Sequence, residues 1–159
     1  MKNIRKGKSI FAFILAQVII DIAFSFLVWN VAHPLSSMYN SCDVSVYLFV
    51  SSLLFLPIYF ALGFLGAKVF KLAYKKSIIN TAVGGTIILT GLWIFLIVAS
   101  NGNHSTVLLY SLLNTPAGWA YMPISNSAGY LNAANLFFTV FSPIAFALGI
   151  KIHRPRDSD

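Results

Sequence analysis

The positions of the basic residues constrain this chain more than any other feature of its sequence. All eleven Lys and Arg residues lie before residue 10, between residues 68 and 76, or after residue 150. Long apolar segments separate these groups, and a helix needs about 20 predominantly apolar residues to cross the hydrocarbon core of a bilayer. The pattern therefore predicts an integral membrane protein of the all-α class.

Four segments have the required length, residues 10–31, 46–67, 78–99 and 128–150. We predict that they form a four-helix bundle and that residues 1–159 form a single membrane domain. The composition agrees, because 9% of the residues are charged whereas soluble domains carry about 25%. Basic residues placed at the ends of apolar segments are typical of topology signals. This placement excludes nucleic acid as a partner and predicts the lipid bilayer instead.

The loops at residues 32–44 and 100–127 contain no Lys or Arg. Because cytoplasmic loops carry an excess of basic residues, we predict a multi-pass protein of the cell membrane with both termini in the cytoplasm. The loop at residues 68–76 then also lies in the cytoplasm. Its lysines are expected to act as a topology signal: Lys68, Lys71, Lys75 and Lys76. A second role is the binding of anionic lipid headgroups, which takes about 4–8 basic residues. Their spacing also predicts that the second helix extends into this loop.

A short internal repeat relates the two halves of the chain. Residues 57–63 read PIYFALG and residues 143–149 read PIAFALG, so six of seven positions agree. Both copies fall in the second helix of a predicted hairpin. This pattern indicates two parallel repeats, residues 1–75 and 76–159, related by a pseudo-two-fold axis along the membrane normal. The alternative is coincidence between two apolar segments of similar composition.

Each copy of this repeat begins with a proline inside a predicted helix, Pro57 and Pro143. A proline removes one backbone hydrogen bond and frees the carbonyl group four residues earlier, here that of Leu53 and that of Thr139. We predict two equivalent kinks. The freed carbonyl groups are satisfied either by local packing or by a polar interior between the helices.

Asp21 lies at the midpoint of the first predicted helix. An aspartate at this depth costs about 2.5–3.5 kcal/mol on insertion scales, so its side chain is expected to face the interior. Gln17 and Ser25 lie four residues to either side, on the same helix face. Polar residues of the other helices fall near the same depth. Together they form the candidate midplane binding site: Asp21, Gln17, Ser25, Tyr59, Thr86, Thr90, Asn135, Thr139 and Ser142.

The third predicted helix carries small residues along two faces. Ala82, Thr86 and Thr90 lie along one face, and Gly84 and Gly91 lie along another. Small residues allow the backbones of neighbouring membrane helices to approach closely. We therefore predict close helix contacts at both faces.

No Lys, Arg or His lies at the depth of Asp21 in the predicted helices. Three hypotheses therefore stand for its carboxyl group. It holds a proton or cation in transit, it hydrogen-bonds to neighbouring hydroxyl groups as a packing element, or it pairs with a basic residue of another subunit.

Chemistry on the outer side would depend on His33, Cys42, Asp43 and His104. Their spacing matches no known metal-ligand pattern, and the chain contains no hydrolase, metalloprotease or nucleotide-binding motif. We therefore expect no enzyme, no metal and no cofactor. The favoured function is a small transporter or channel with a site around Asp21, which a homo-oligomer would help to enclose. The alternative is a non-catalytic accessory, immunity or assembly subunit of a membrane complex.

Overall fold

A computed structural model describes residues 4–27, 30, 50–72, 74–99, 114, 116 and 128–153. All regular structure in these ranges is helical, with no strand among them. These ranges contain four long helices: α1 (Ile4–Leu27), α2 (Phe55–Phe70), α3 (Tyr74–Ala99) and α4 (Ala128–Ile152). The predicted all-α class is confirmed.

Among the described residues, three helical segments are long and apolar enough to cross a membrane, Gly7–Phe24, Val50–Phe70 and Ser77–Leu96. The described apolar part of α4, Leu136–Ile152, is shorter. Large apolar side chains are exposed on all four helices, among them Ile22 (74%), Val69 (71%), Phe95 (66%) and Ile152 (62%). Contiguous apolar surface of this kind is rare on soluble monomers and suits a lipid environment.

The helices α1 and α3 begin earlier than predicted, at Ile4 and Tyr74 instead of residues 10 and 78. The apolar count locates the part of a helix that suits the hydrocarbon core, whereas the helix itself continues through flanking basic residues. Lys and Arg have high helix propensity, so nothing in the flanking sequence stops the helix at the edge of the apolar segment.

The predicted extension of the second helix beyond residue 67 is found as far as Phe70, where α2 ends. Lys71 has φ 48° and ψ 56°, which is the left-handed conformation. The backbone N–H of Lys71 donates to the carbonyl oxygen of Ala67, and the N–H of Leu72 donates to the same oxygen at 3.2 Å. This is a Schellman-type helix end. Leu72 is buried in the hydrophobic core, and the next helix, α3, begins at Tyr74.

The two prolines lie in different parts of their helices, Pro57 in the first turn of α2 and Pro143 inside α4, and the predicted kinks stay a prediction. Just before Pro57 the chain makes a tight turn, in which the N–H of Leu56 donates to the carbonyl oxygen of Leu53 at 3.1 Å. The carbonyl group that Pro57 frees is therefore satisfied locally, and no polar interior is needed there. Pro143 is buried inside the continuous α4, whereas the Pro57 side chain is exposed.

The helices meet around Phe13 of α1, which is 1% exposed. Its ring centroid lies 6.1 Å from that of Tyr59 on α2 and 5.6 Å from that of Phe146 on α4. The ring also covers Gly85 of α3, where an added Cβ would lie 3.1 Å from it. α2 packs most extensively against α4, while α1 contacts both α2 and α3.

Two glycines allow α2 and α4 to approach closely. A Cβ added at Gly63 would overlap the backbone carbonyl of Phe146, and one added at Gly149 would overlap the backbone carbonyl of Phe60. Gly63 and Gly149 are equivalent positions of the internal repeat, as are Phe60 and Phe146. The contact between α2 and α4 is therefore reciprocal.

On α3 only part of the predicted close approach is found. A Cβ added at Gly84 would lie 2.7 Å from the side chain of Ile10 on α1. At Gly91 no described atom lies within 4 Å of the added Cβ, so the prediction of a close helix contact at Gly91 is wrong for the described part of the chain. Gly85, which the sequence analysis did not single out, takes that role instead.

Candidate functional site

The polar face of α1 places Gln17 and Asp21 in direct contact. Residues four apart lie on the same face of a helix. The Gln17 amide Nε2 donates to Asp21 Oδ1 at 3.1 Å and to Oδ2 at 3.3 Å. Both carboxylate oxygens thus face the amide, and the carboxylate has further lone pairs with which to accept hydrogen bonds.

Tyr59 of α2 completes a chain of three side chains. Its hydroxyl group donates to Gln17 Oε1 at 2.5 Å. Tyr59 lies on the buried stripe of α2, with Phe55, Gly63 and Ala67 at intervals of four residues. Because the Tyr59 hydroxyl occupies the oxygen of the Gln17 amide, the amide nitrogen is directed at Asp21. Tyr59 is therefore a positioning residue for the carboxylate.

Burial decreases along this chain. Tyr59 is 0% exposed and Gln17 is 6% exposed, while Asp21 is partly exposed. On either side of Asp21, Ile20 is 1% exposed and Ile22 is 74% exposed. The carboxylate thus lies at the edge of the buried face of α1. This is the boundary between the interior that the packed helices enclose and their outer surface.

The predicted site residues of α3 and α4 have different surroundings from one another. The Thr86 Oγ1 donates to the carbonyl oxygen of Ala82 in its own helix at 2.7 Å, so this bond does not contribute to the site. Thr90 is partly buried. Thr139 is 1% exposed and Ser142 is 0% exposed, both on the interior face of α4. The side chains of Ser25 and Asn135 lie outside the described residues.

Several buried polar atoms were not singled out by the sequence analysis. The hydroxyl groups of Ser9 and Thr81 and the indole N–H of Trp93 are buried, with no hydrogen-bond partner in the described part of the chain. The hydroxyl group of Ser142, a residue of the predicted site, is also buried without a hydrogen-bond partner in the described part of the chain. For Ser9 and Thr81, the sequence signal is a small polar residue on the interior face of an apolar helix. Ser9 also follows Lys8 directly, so in the sequence it resembles part of the basic segment that precedes the first apolar segment.

The described ranges contain no group of three or more His, Cys, Asp or Glu residues that could hold a metal ion. His33, Cys42, Asp43 and His104 lie outside those ranges, so the predicted absence of an outer-side catalytic or metal site stays a prediction.

Four Lys and Arg side chains are described at the helix ends, those of Lys8, Lys68, Lys71 and Lys151, and all four are exposed. Lys8 is near the start of α1, Lys68 and Lys71 are at the end of α2, and Lys151 is at the end of α4. The side chains of Lys75 and Lys76 are not among those described.

Comparison with protein-family models, curated protein sequences and solved structures finds no match for this chain.

Proposed function

We propose that the protein is a small multi-pass transporter or channel of the cell membrane that binds protons or monovalent cations at Asp21. The observation that carries this proposal is the chain from the Tyr59 hydroxyl through the Gln17 amide to the Asp21 carboxylate. It holds one ionisable group in a defined orientation at the edge of the helix interior. An intramembrane carboxylate is costly, and such groups commonly mark ion or proton pathways.

A purely structural role explains this arrangement less well. Gln17 and Tyr59 satisfy one another directly across α1 and α2. A neutral amide at position 21 could accept the same hydrogen bond from Gln17 without an ionisable group in the membrane. The aspartate adds an insertion cost of about 2.5–3.5 kcal/mol, which helix packing alone does not require.

The proposed architecture has four membrane-spanning helices in a bundle, with both termini and residues 68–76 in the cytoplasm. α4 has 25 residues, which at about 1.5 Å per residue exceeds the thickness of a hydrocarbon core of about 30 Å. The exposed lysines at the helix ends support the same orientation through the positive-inside rule.

We further infer that the two halves of the chain arose by duplication. The reciprocal contacts of Gly63 with Phe146 and of Gly149 with Phe60 support this origin, because equivalent residues make equivalent contacts. The different environments of Pro57 and Pro143 limit the symmetry to the middle of the α2–α4 contact.

The direct test is ion flux in proteoliposomes containing the purified full chain. A trapped pH-sensitive dye reports proton flux under a potassium diffusion potential, and isotopic sodium and rubidium report monovalent cations. We expect wild-type flux above that of empty vesicles, and at least a tenfold loss in Asp21→Asn. Thr86→Val is the matched control, because it removes a hydroxyl group bonded within its own helix. Flux that is equal in wild type and Asp21→Asn, or absent from both, overturns the proposal.

A second candidate function is that of an accessory subunit in a membrane complex. The position of Asp21 beside the exposed Ile22 favours it, because a partner helix with a basic residue would then contact the carboxylate directly. In this case Asp21→Asn would release a co-purifying membrane protein in mild detergent. A wild-type chain that purifies alone and conducts ions would exclude this candidate.

A further inference from the structure

The end of α2 contains the one non-glycine residue with positive φ among the described residues, Lys71 at φ 48°. L-residues disfavour this conformation, because the Cβ crowds the carbonyl oxygen that follows. Glycine is the usual residue at this position of a Schellman-type helix end. Residues kept in a disfavoured conformation cluster at functional sites. The Lys71 side chain, which is exposed, is therefore a candidate for a specific role.

A ring contact places Lys71 beside the start of α1. The rings of Phe11 on α1 and Phe70 on α2 pack edge to face, with centroids 6.1 Å apart. Lys71 follows Phe70 directly. Lys8 precedes Phe11 by three residues and so lies about one turn away on the same face of α1. Both lysines therefore belong to one corner of the molecule, where α1 begins and α2 ends.

The surface next to these lysines is apolar and continues toward the middle of α1. Phe11 is 58% exposed and Leu15 is 39% exposed. Lys8, Phe11 and Leu15 follow one another at spacings of three and four residues, so they form one stripe along the helix. The stripe begins with a charged group and continues with groups that suit hydrocarbon. A ligand that fits it has an anionic head and an apolar tail.

We propose that this corner binds an anionic phospholipid of the surrounding leaflet. Its phosphate would lie between the ammonium groups of Lys8 and Lys71, and its acyl chains would lie against Phe11 and Leu15. The proposal requires only that α1 and α2 lie in a membrane. It is independent of ion transport at Asp21, which lies more than two turns from Phe11 along α1.

The pair Lys68 and Lys151 offers a control of equal charge. Both lysines are exposed and lie at the ends of α2 and α4. Replacing them removes the same number of charges at the same end of the helices. A difference between the two double variants therefore reports the site and not the net charge.

The test is native mass spectrometry of the full chain in detergent with equal amounts of phosphatidylglycerol and phosphatidylcholine of identical acyl chains. Each lysine near a membrane surface contributes about 1 kcal/mol to anionic lipid binding. We therefore expect Lys8→Gln with Lys71→Gln to lower the preference for phosphatidylglycerol about thirty-fold, at tenfold per 1.4 kcal/mol. Lys68→Gln with Lys151→Gln should lower the preference by a smaller factor, because it removes only the general attraction of basic residues to anionic lipid. Equal losses in the two double variants would overturn the proposal in favour of a general charge effect.

Lys71→Gly keeps the test informative if the glutamine variants fold poorly. Glycine suits the left-handed conformation, so this variant retains the helix end. It should lower the preference for phosphatidylglycerol about fivefold, and an unchanged preference would refute the role of Lys71. Inorganic phosphate and glycerol 3-phosphate are added as soluble competitors. We expect neither to displace the lipid, because they lack acyl chains. Displacement at equal concentration would instead identify a site for free phosphate.

Discussion

Substitution of Gly63 by alanine tests the contact between α2 and α4 most directly. The added Cβ would overlap the carbonyl oxygen of Phe146 and would lie 2.8 Å from its carbonyl carbon and 3.1 Å from its Cα. All three neighbours are backbone atoms, so no side-chain rotation can relieve the overlap. Ordinary Cβ contacts begin at 3.4 Å. The carbonyl carbon alone would require the two helices to separate by 0.6 Å, the difference between 3.4 and 2.8 Å, and the carbonyl oxygen requires more because it lies closer still.

The expected cost follows from this forced separation. Inserting a methyl group into a well-packed core typically costs about 1–3 kcal/mol. Alanine also stabilises a helix relative to glycine by about 1 kcal/mol, which partly hides the cost. Gly91→Ala measures this gain in helix stability without a steric cost, because no described atom lies within 4 Å of its added Cβ. The free energies of unfolding of Gly63→Ala and Gly91→Ala should therefore differ by about 1–3 kcal/mol.

The reciprocal contact between α2 and α4 also predicts the effect of Gly149→Ala. Gly149→Ala places its Cβ 2.8 Å from the backbone nitrogen of Phe64 and 3.0 Å from the carbonyl carbon of Phe60. Its effect should equal that of Gly63→Ala within error. Because one separation of α2 from α4 relieves both overlaps, the double variant should cost less than the sum of the single variants.

The assay is reversible unfolding in mixed micelles, followed by circular dichroism at increasing fractions of denaturing detergent. Gly91→Ala serves as the reference in each series. If Gly63→Ala and Gly149→Ala are as stable as Gly91→Ala, the close contact between α2 and α4 does not exist in the membrane-inserted protein. Strictly additive effects would instead show that the two glycines lie at independent interfaces.

Two further predictions concern the site and the topology. Tyr59→Phe should lower the free energy of unfolding by about 1 kcal/mol, since it leaves the buried Gln17 oxygen without its donor and membrane hydrogen bonds contribute about 0.6–1.7 kcal/mol. Thr86→Val should be neutral in the same unfolding assay, and equal effects of both variants would argue against a distinct role for the Tyr59 bond. A membrane-impermeant maleimide should label Cys42, the single cysteine of the chain, in intact cells. In Cys42→Ser with Lys151→Cys, labelling should require permeabilisation, and the reverse pattern would invert the proposed topology.

The spacing of residues within one helix predicted part of the site. Gln17 and Asp21 were placed on a common face because they are four residues apart, and their side chains are hydrogen-bonded. Thr86 was placed at the same depth, but its hydroxyl group donates to its own helix. A threonine in a helix can always reach the carbonyl group four residues earlier. The bond of Thr86 lies within α3, so the place of Thr86 in the site stays a prediction.

The contact between Gln17 and Tyr59 depends on how α1 and α2 pack against each other. Depth along the predicted helices placed Tyr59 near Asp21, but the hydrogen bond joins residues 42 positions apart. It requires a particular rotation and register of α2 against α1. Those are set by the packing of Phe13 against Tyr59 and Phe146, and by the glycines that decide how closely α2 and α4 approach.

The sequence by itself determined the helical class, the membrane character and the polar face of α1. The physical reason is that apolar length and helical period are local properties, which a single segment expresses without its neighbours. Tertiary structure alone decided that Tyr59 orients Gln17, that α2 ends at a left-handed Lys71, and that Pro57 and Pro143 differ. Each of these depends on which backbone or side chain lies opposite, and that is fixed only when the helices pack together.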